Sequence, residues 1–227
     1  MRKIKIPSIV LGVSLLGLMI LHAGCVRSDI ANLESRGKNI VCFGDSITRG
    51  KGVNPSESYP AALAKMTSVP IVNAGINGDI TPEALKRVKT DVLDNDPFLV
   101  VIEFGGNDYL NKVPLEETIK NIEEMIKIIQ AQGVMVAIVD ISNILFMEEY
   151  RQEFQRLSHK YRTIFIPRIL DDIVSDESLK SDAIHPNAKG YKIIAYRVYR
   201  GIIPYINLNT IRRGLQKKIF DSSKIFR

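Results

Sequence analysis

The stretch "NIVCFGDSITRGKG", residues 39–52, decides how the rest of the chain is read. Ile40 to Phe43 form a short apolar run of the kind that makes a buried strand, and Gly44 ends it. An acid and a hydroxyl follow at once, Asp45 and Ser46. Ser and Asp after a strand are common turn and helix-capping residues, so this stretch alone favours a cap over a nucleophile at a strand end.

Outward from this stretch, short apolar runs alternate with helical patterns. The predicted strands are 39–43, 69–73, 98–103, 134–140 and 163–166. The clearest helix is 115–130, where Leu115, Ile119, Ile122, Ile126 and Ile129 recur at spacings of four, three, four and three. Pro114 precedes it and Gly133 follows its end. Further helices are predicted over 59–66, 82–93, 147–160 and 188–201. Near-continuous apolar strands separated by helices imply a parallel sheet covered on both faces, a doubly wound α/β domain. In such sheets ligands bind beyond the carboxyl ends of the strands. Polar clusters follow the runs there: Asp45-Ser46, Asn77-Gly78-Asp79, Gly105 to Asp108, and Asp182 to His185.

Charge narrows the function classes. The 227 residues carry 31 Lys and Arg against 25 Asp and Glu, a formal +6. Residues 1–24 hold three of the basic groups and no acid, and residues 205–227 hold six against Asp221 alone. What remains is 22 basic and 24 acidic residues, so the body is nearly neutral and offers no nucleic-acid footprint. "MRKIK" followed by the uncharged stretch Ile6 to Leu21 reads as an export signal over residues 1–24. "LHAGC" ends at Cys25 and resembles the lipobox of bacterial lipoproteins, although His22 stands where that motif usually has Leu. Lipidation of Cys25 would tether the protein to a membrane facing the periplasm or the exterior. Plain secretion and an uncleaved anchor are the alternatives. Cys42, inside an apolar run, reads as a small buried hydrophobe.

A serine hydroxyl needs a base within hydrogen-bond reach. Of the three His, His22 lies in the leader and His159 sits in the polar stretch "RLSHKY", which leaves His185. Asp182, three residues earlier, can set the imidazole tautomer from the same turn. "NAGINGDIT" and "EFGGNDYL" offer glycine N–H groups and the Asn107 amide as donors to a developing oxyanion. Thr48 replaces the second glycine of a G-x-S-x-G elbow, which disfavours an α/β-hydrolase. No dinucleotide, P-loop or zinc pattern appears, so no cofactor or metal is expected.

Together, "GDSIT" at 44–48, "NAGINGD" at 73–79, "GGND" at 105–108 and "DAIHPN" at 182–187 resemble the four blocks of the SGNH (GDSL-type) hydrolases. The resemblance spans about residues 39–203, inside a domain drawn at 38–204, and is closest to the small bacterial thioesterase, arylesterase and lysophospholipase branch. It implies a flavodoxin-like sheet of five parallel strands, no metal, Ser46 as nucleophile, His185 as general base and Asp182 as its orienting acid. It also implies an oxyanion hole built from the Ser46 amide, the Gly78 amide and the Asn107 side chain. Asp45 and Asp79 are expected to anchor loop backbone, and Glu103 to be a structural acceptor. An acyl ester or thioester is the leading substrate class. A carbohydrate O-deacetylase and a non-catalytic binding module are the rivals, with "DYLNKVPLEET" and "SNILFMEEY" as the segments expected to wall the acyl pocket. The basic segment 205–227, with Ile206, Leu208, Ile211, Leu215, Ile219 and Phe220, reads either as a helix lying on an anionic membrane or as a solvated tail.

Overall fold

The computed structural model describes residues 29–142 and 147–225, with side chains to residue 216. The leader, Cys25 and part of "SNILFMEEY" (143–146) lie outside the described residues. Five parallel strands, β1 (Asn39–Gly44), β2 (Ile71–Gly75), β3 (Pro97–Glu103), β4 (Met135–Val139) and β5 (Ile164–Ile166), form one sheet in the order β2-β1-β3-β4-β5. The order in which strands are added across the sheet reverses between β1 and β3, the switch point where this topology opens a crevice at the carboxyl edge.

The helices are α1 (Ser46–Arg49), α2 (Tyr59–Thr67), α3 (Thr81–Lys86), α4 (Gly106–Leu110), α5 (Leu115–Ala131), α6 (Glu148–Tyr161) and α7 (Ala188–Ile225). Alternation along each strand divides the core in two. Ile40, Cys42, Leu99, Val101 and Ala137 pack with Tyr59 and Leu63 of α2 and with Tyr191, Ile194, Val198 and Ile202 of α7. Val41, Phe43, Val100, Ile102 and Val136 pack with Ile122, Met125, Ile126 and Ile129 of α5 and with Phe154 and Leu157 of α6. Both faces are therefore apolar, and that is why the strands read as continuous runs.

Two predicted helices differ in the structure. The pattern over 82–93 stops at Lys86 and continues as a π turn, Val88–Val92, and a 3₁₀ turn, Leu93–Asn95. Arg87 leaves helical geometry there to reach back toward the strand ends, and β-branched Val88, Thr90 and Val92 favour the helix weakly. The helix predicted to end at 201 instead runs to Ile225, straight through Pro204. An interior proline costs about 3 kcal/mol. Burial of Ile202, Tyr205, Ile206 and Asn209 on either side offsets that cost.

Candidate active site

Gly44 ends β1 and lets the chain turn sharply. A Cβ there would lie 2.1 Å from Thr48 Oγ1 and 2.6 Å from the Glu103 carbonyl, so only glycine fits. Asp45 caps α1 by accepting from the Ile47 N–H at 2.9 Å. Ser46 is then the first residue of α1, where an N–H has no intrahelical acceptor and is free to serve as a donor.

His185 comes from the other end of the chain. Asp182 Oδ1 accepts from the backbone N–H of Ile184 (3.0 Å) and of His185 (2.8 Å), folding "DAIH" into a tight turn. Asn187 fixes the next step: its side chain donates to the Ser178 and Lys180 carbonyls and accepts from Lys189 and Gly190 at the start of α7. Across 139 residues of sequence, Ser46 Oγ lies 3.0 Å from His185 Nε2. His185 Nδ1 is 2.9 and 2.8 Å from the two Asp182 carboxylate oxygens. The N–H groups of Ile184 and His185 hold the Asp182 carboxyl below its usual range, at about 2. An ionised carboxylate can only accept, so Nδ1 carries the proton and Nε2 is left as the acceptor for the Ser46 hydroxyl.

The loop after β2 brings Gly78, whose φ of +77° is left-handed backbone; a Cβ there would meet nothing within 4 Å, so the requirement is conformational and not steric. Beside it, Asp79 receives Arg87 Nε at 2.9 Å and Nη2 at 2.5 Å. The same guanidinium donates to the carbonyls of Ala74 and Gly44 and stands 4.4 Å from the Phe43 ring centroid. Arg87 thus ties the ends of β1 and β2 to the Gly78 loop. The sequence reading did not single it out, since nothing local marks one arginine of a surface-like helix.

Asn107, in α4 after β3, directs Nδ2 at Asp45 Oδ2 (2.9 Å) and at the Asp79 carbonyl (3.1 Å). These bonds aim the amide between the β1 and β2 loops, and a ligand oxygen would share its hydrogens. Asp108 is fully buried and accepts from Thr81 N–H, Thr81 Oγ1 and Thr118 Oγ1, which joins α4 to α3 and α5.

Beneath these loops lies a pair of carboxyls. Glu103 is fully buried; its Oε2 accepts from Thr48 N–H (3.1 Å) and Oγ1 (2.7 Å), while Oε1 has no hydrogen-bond partner among the described residues. Burial, reinforced by the charge of Asp45, raises Glu103 well above the ordinary carboxylate range. Burial also raises Asp45, to about 7, against the opposing Ile47 N–H. The protonated form of Glu103 is thereby favoured, since its ionisation would leave an unpaired buried charge.

Among the described residues, no group of three or more His, Cys, Asp or Glu could hold a metal ion, and no helix is long and apolar enough to cross a membrane. A surface groove of about 600 Å³ runs between α5 and α6, lined by Leu115, Ile119, Glu123 and Arg156 and by none of the candidate site residues. The structure therefore brings Ser46, His185, Asp182, Gly78 and Asn107 to one rim, the carboxyl ends of β1, β2 and β3 with the loop before α7. Cys25 falls outside the described residues.

A model of the GDSL-like Lipase/Acylhydrolase family matches residues 42–193. The chain is 25% identical over 178 residues to esterase TesA of Pseudomonas aeruginosa, covering 74% of this chain and 89% of that protein. It is 24% identical over 176 residues to thioesterase 1/protease 1/lysophospholipase L1 of Escherichia coli, covering 74% and 85%. A 100-residue stretch, 40% of this chain and 37% of the relative, is 39% identical to the uncharacterized lipoprotein YqeF of Bacillus subtilis. In fold, the chain superposes on the esterase EstA of Pseudoalteromonas with a TM-score of 0.68, 24% identity and coverage of 75% and 99%.

Proposed function

The chain belongs to the GDSL-like lipase/acylhydrolase family and is a carboxylic ester hydrolase of the esterase–thioesterase type, and from that premise we propose that Ser46, His185 and Asp182 are its catalytic triad. The observation that carries this reading is the 3.0 Å approach of Ser46 Oγ to His185 Nε2, with Asp182 on Nδ1. His185 takes the hydroxyl proton as Oγ attacks the carbonyl carbon of an acyl ester or thioester. The oxyanion that forms is met by the N–H groups of Ser46 and Gly78 and by the Asn107 amide. Collapse of the tetrahedral intermediate breaks the acyl–oxygen or acyl–sulfur bond, and His185 returns the proton to the departing alcohol or thiol. Water, deprotonated by the same imidazole, then attacks the acyl-serine; the acyl–Oγ bond breaks, His185 returns the proton to Ser46 Oγ, and the acid leaves. Asp182 stabilises the imidazolium in both halves.

A fluorophosphonate probe tests the mechanism. It labels wild type at Ser46, not Ser46→Ala, and labels His185→Ala only weakly, whereas Asp182→Asn retains more label than His185→Ala. A folded wild-type chain that hydrolyses p-nitrophenyl esters yet resists the probe refutes the serine mechanism. The proposal includes export with Cys25 acylated, supported by the charged leader, the "AGC" site and the similarity to a lipoprotein. The mass of the mature N-terminal peptide decides it: an unmodified Cys25 or an intact Met1 removes the lipid anchor and leaves the catalytic reading untouched.

A further inference from the structure

The N-terminal segment and the distal half of α7 meet at the end of the domain opposite Ser46. Residues 30–38 run across the amino ends of the strands. Ala31 N–H donates to the Arg162 carbonyl ahead of β5, Asn32 Nδ2 to the Gln130 and Val134 carbonyls ahead of β4, and Lys38 N–H to the Asp96 carbonyl ahead of β3. Ser46 sits past the other end of β1; at about 3.3 Å per residue a six-residue strand separates the two rims by roughly 20 Å.

α7 is clamped to this strap. Asn209, 3% exposed, donates from its amide to the Leu33 carbonyl (2.8 Å) and the Ser35 carbonyl (2.9 Å). Arg212 lies 3.9 Å from Glu34, and Gln216 bonds both Glu34 and Arg36. Past Asn209 the helix continues to Ile225, about 24 Å at ~1.5 Å per residue. Ile211 and Leu215, one turn apart on one side of the helix, are 58% and 56% exposed, and Arg213 is exposed on the other side. The sequence onward adds Lys217, Lys218, Lys224 and Arg227 against the single acid Asp221. The family match, residues 42–193, ends before this segment.

A helix end that combines exposed aliphatic side chains with an excess of basic residues over acidic ones fits a surface that is both apolar and anionic. We propose that the distal half of α7 docks on an anionic phospholipid bilayer, with the Ser46 rim facing away from that bilayer. The docking rests on the exposure of Ile211, Arg213 and Leu215 and on the basic sequence that follows; its coincidence with a lipid anchor rests on the proposed acylation of Cys25. From Cys25 to Ile30 the chain spans at most about 18 Å, which would hold this same end near the membrane. The substrates reached would then be esters in solution or in a facing layer, not lipids of the anchoring leaflet. The competing face is the catalytic rim, which exposes Ile76, Tyr109, Leu110 and Ile184.

The test uses the chain beginning at Val26, which retains every residue of both core clusters and lacks Cys25. In co-sedimentation at low salt it binds vesicles containing phosphatidylglycerol and not pure phosphatidylcholine, and high salt releases it. Arg213→Glu/Lys217→Glu/Lys218→Glu lowers that binding by about a hundredfold while p-nitrophenyl ester hydrolysis in solution is unchanged. An environment-sensitive dye on Leu215→Cys shifts to the blue on the anionic vesicles, whereas the same dye on Ile184→Cys does not; Cys42 is buried and stays unlabelled. Wild type that ignores the anionic vesicles, a triple variant that binds as well as wild type, or a shift at residue 184 in place of 215 overturns the proposal. None of these outcomes depends on lipidation, which the mass of the mature N-terminus decides separately.

Discussion

Asn107→Ala separates the chemistry of the rim from its architecture. The Nδ2 atom holds two bonds, 2.9 Å to Asp45 Oδ2 and 3.1 Å to the Asp79 carbonyl. Asp45 is 3% exposed, so truncation leaves a buried carboxyl oxygen without its donor, at a cost of about 1–3 kcal/mol in stability. For a domain of this size each kcal/mol lowers the melting temperature by about 2–4 °C, which places the expected drop between about 2 and 12 °C. The proposed catalytic effect is separate. A donor aimed at charge that exists only in the transition state is worth about 3 kcal/mol, and its loss lowers kcat by about a hundredfold or more. Initial rates on a p-nitrophenyl ester, taken well below the variant's melting temperature, give kcat and KM separately. The reasoning is refuted if kcat is unchanged and KM rises, because Asn107 would then bind ground-state substrate. It is equally refuted on the structural side if the melting temperature does not move.

Arg87→Ala removes the buried partner of Asp79, whose side chain is 6% exposed, and is expected to cost about 3–5 kcal/mol by thermal or urea unfolding. Arg87→Lys restores part of the stability but not the fork that spans Ala74, Gly44 and Asp79, so activity stays low; full activity in the lysine variant would deny Arg87 a role in holding the Gly78 loop. Glu103→Gln mimics the neutral acid and is expected to leave stability at neutral pH within about 1 kcal/mol of wild type, while Glu103→Ala strands Thr48 and costs about 2 kcal/mol or more. A large loss in the glutamine variant would mean that the carboxylate form is required. Burial raises Asp45 from its ordinary value to about 7, so the folded state binds this proton more tightly than the unfolded chain. Its contribution to stability is complete below the unfolded pKa and is lost as pH rises through about 7. Melting curves between about pH 5 and pH 8 should therefore slope downward, and Asp45→Asn should reduce that slope to the part contributed by Glu103; an unchanged slope in the variant would assign all of it to another group.

The strands and most of the helices were legible in the sequence because burial imposes a local period. Val100 and Val101 are buried on opposite faces of one sheet, and Ile119, Ile122, Ile126 and Ile129 on one side of one helix; each pattern can be recognised without knowing its partner. The candidate site residues Ser46, Gly78, Asn107, Asp182 and His185 were legible as chemical types after apolar runs. That parallel strands bring their carboxyl ends to one rim is a property of the topology, so the polar ends of distant runs had to converge. Only the tertiary structure decided which groups meet at what distance. Ser46 and His185 are 139 residues apart, and Asp45 and Asn107 are 62, separations over which no local period carries information. Arg87 was invisible for the same reason: its role lies in carbonyls and a carboxylate contributed by β1, β2 and their loop. The full length of α7 was hidden by Pro204, which reads locally as a helix breaker. Its cost is outweighed only when Ile202, Tyr205 and Ile206 have a sheet to bury against and Asn209 has the carbonyls of Leu33 and Ser35 to cap.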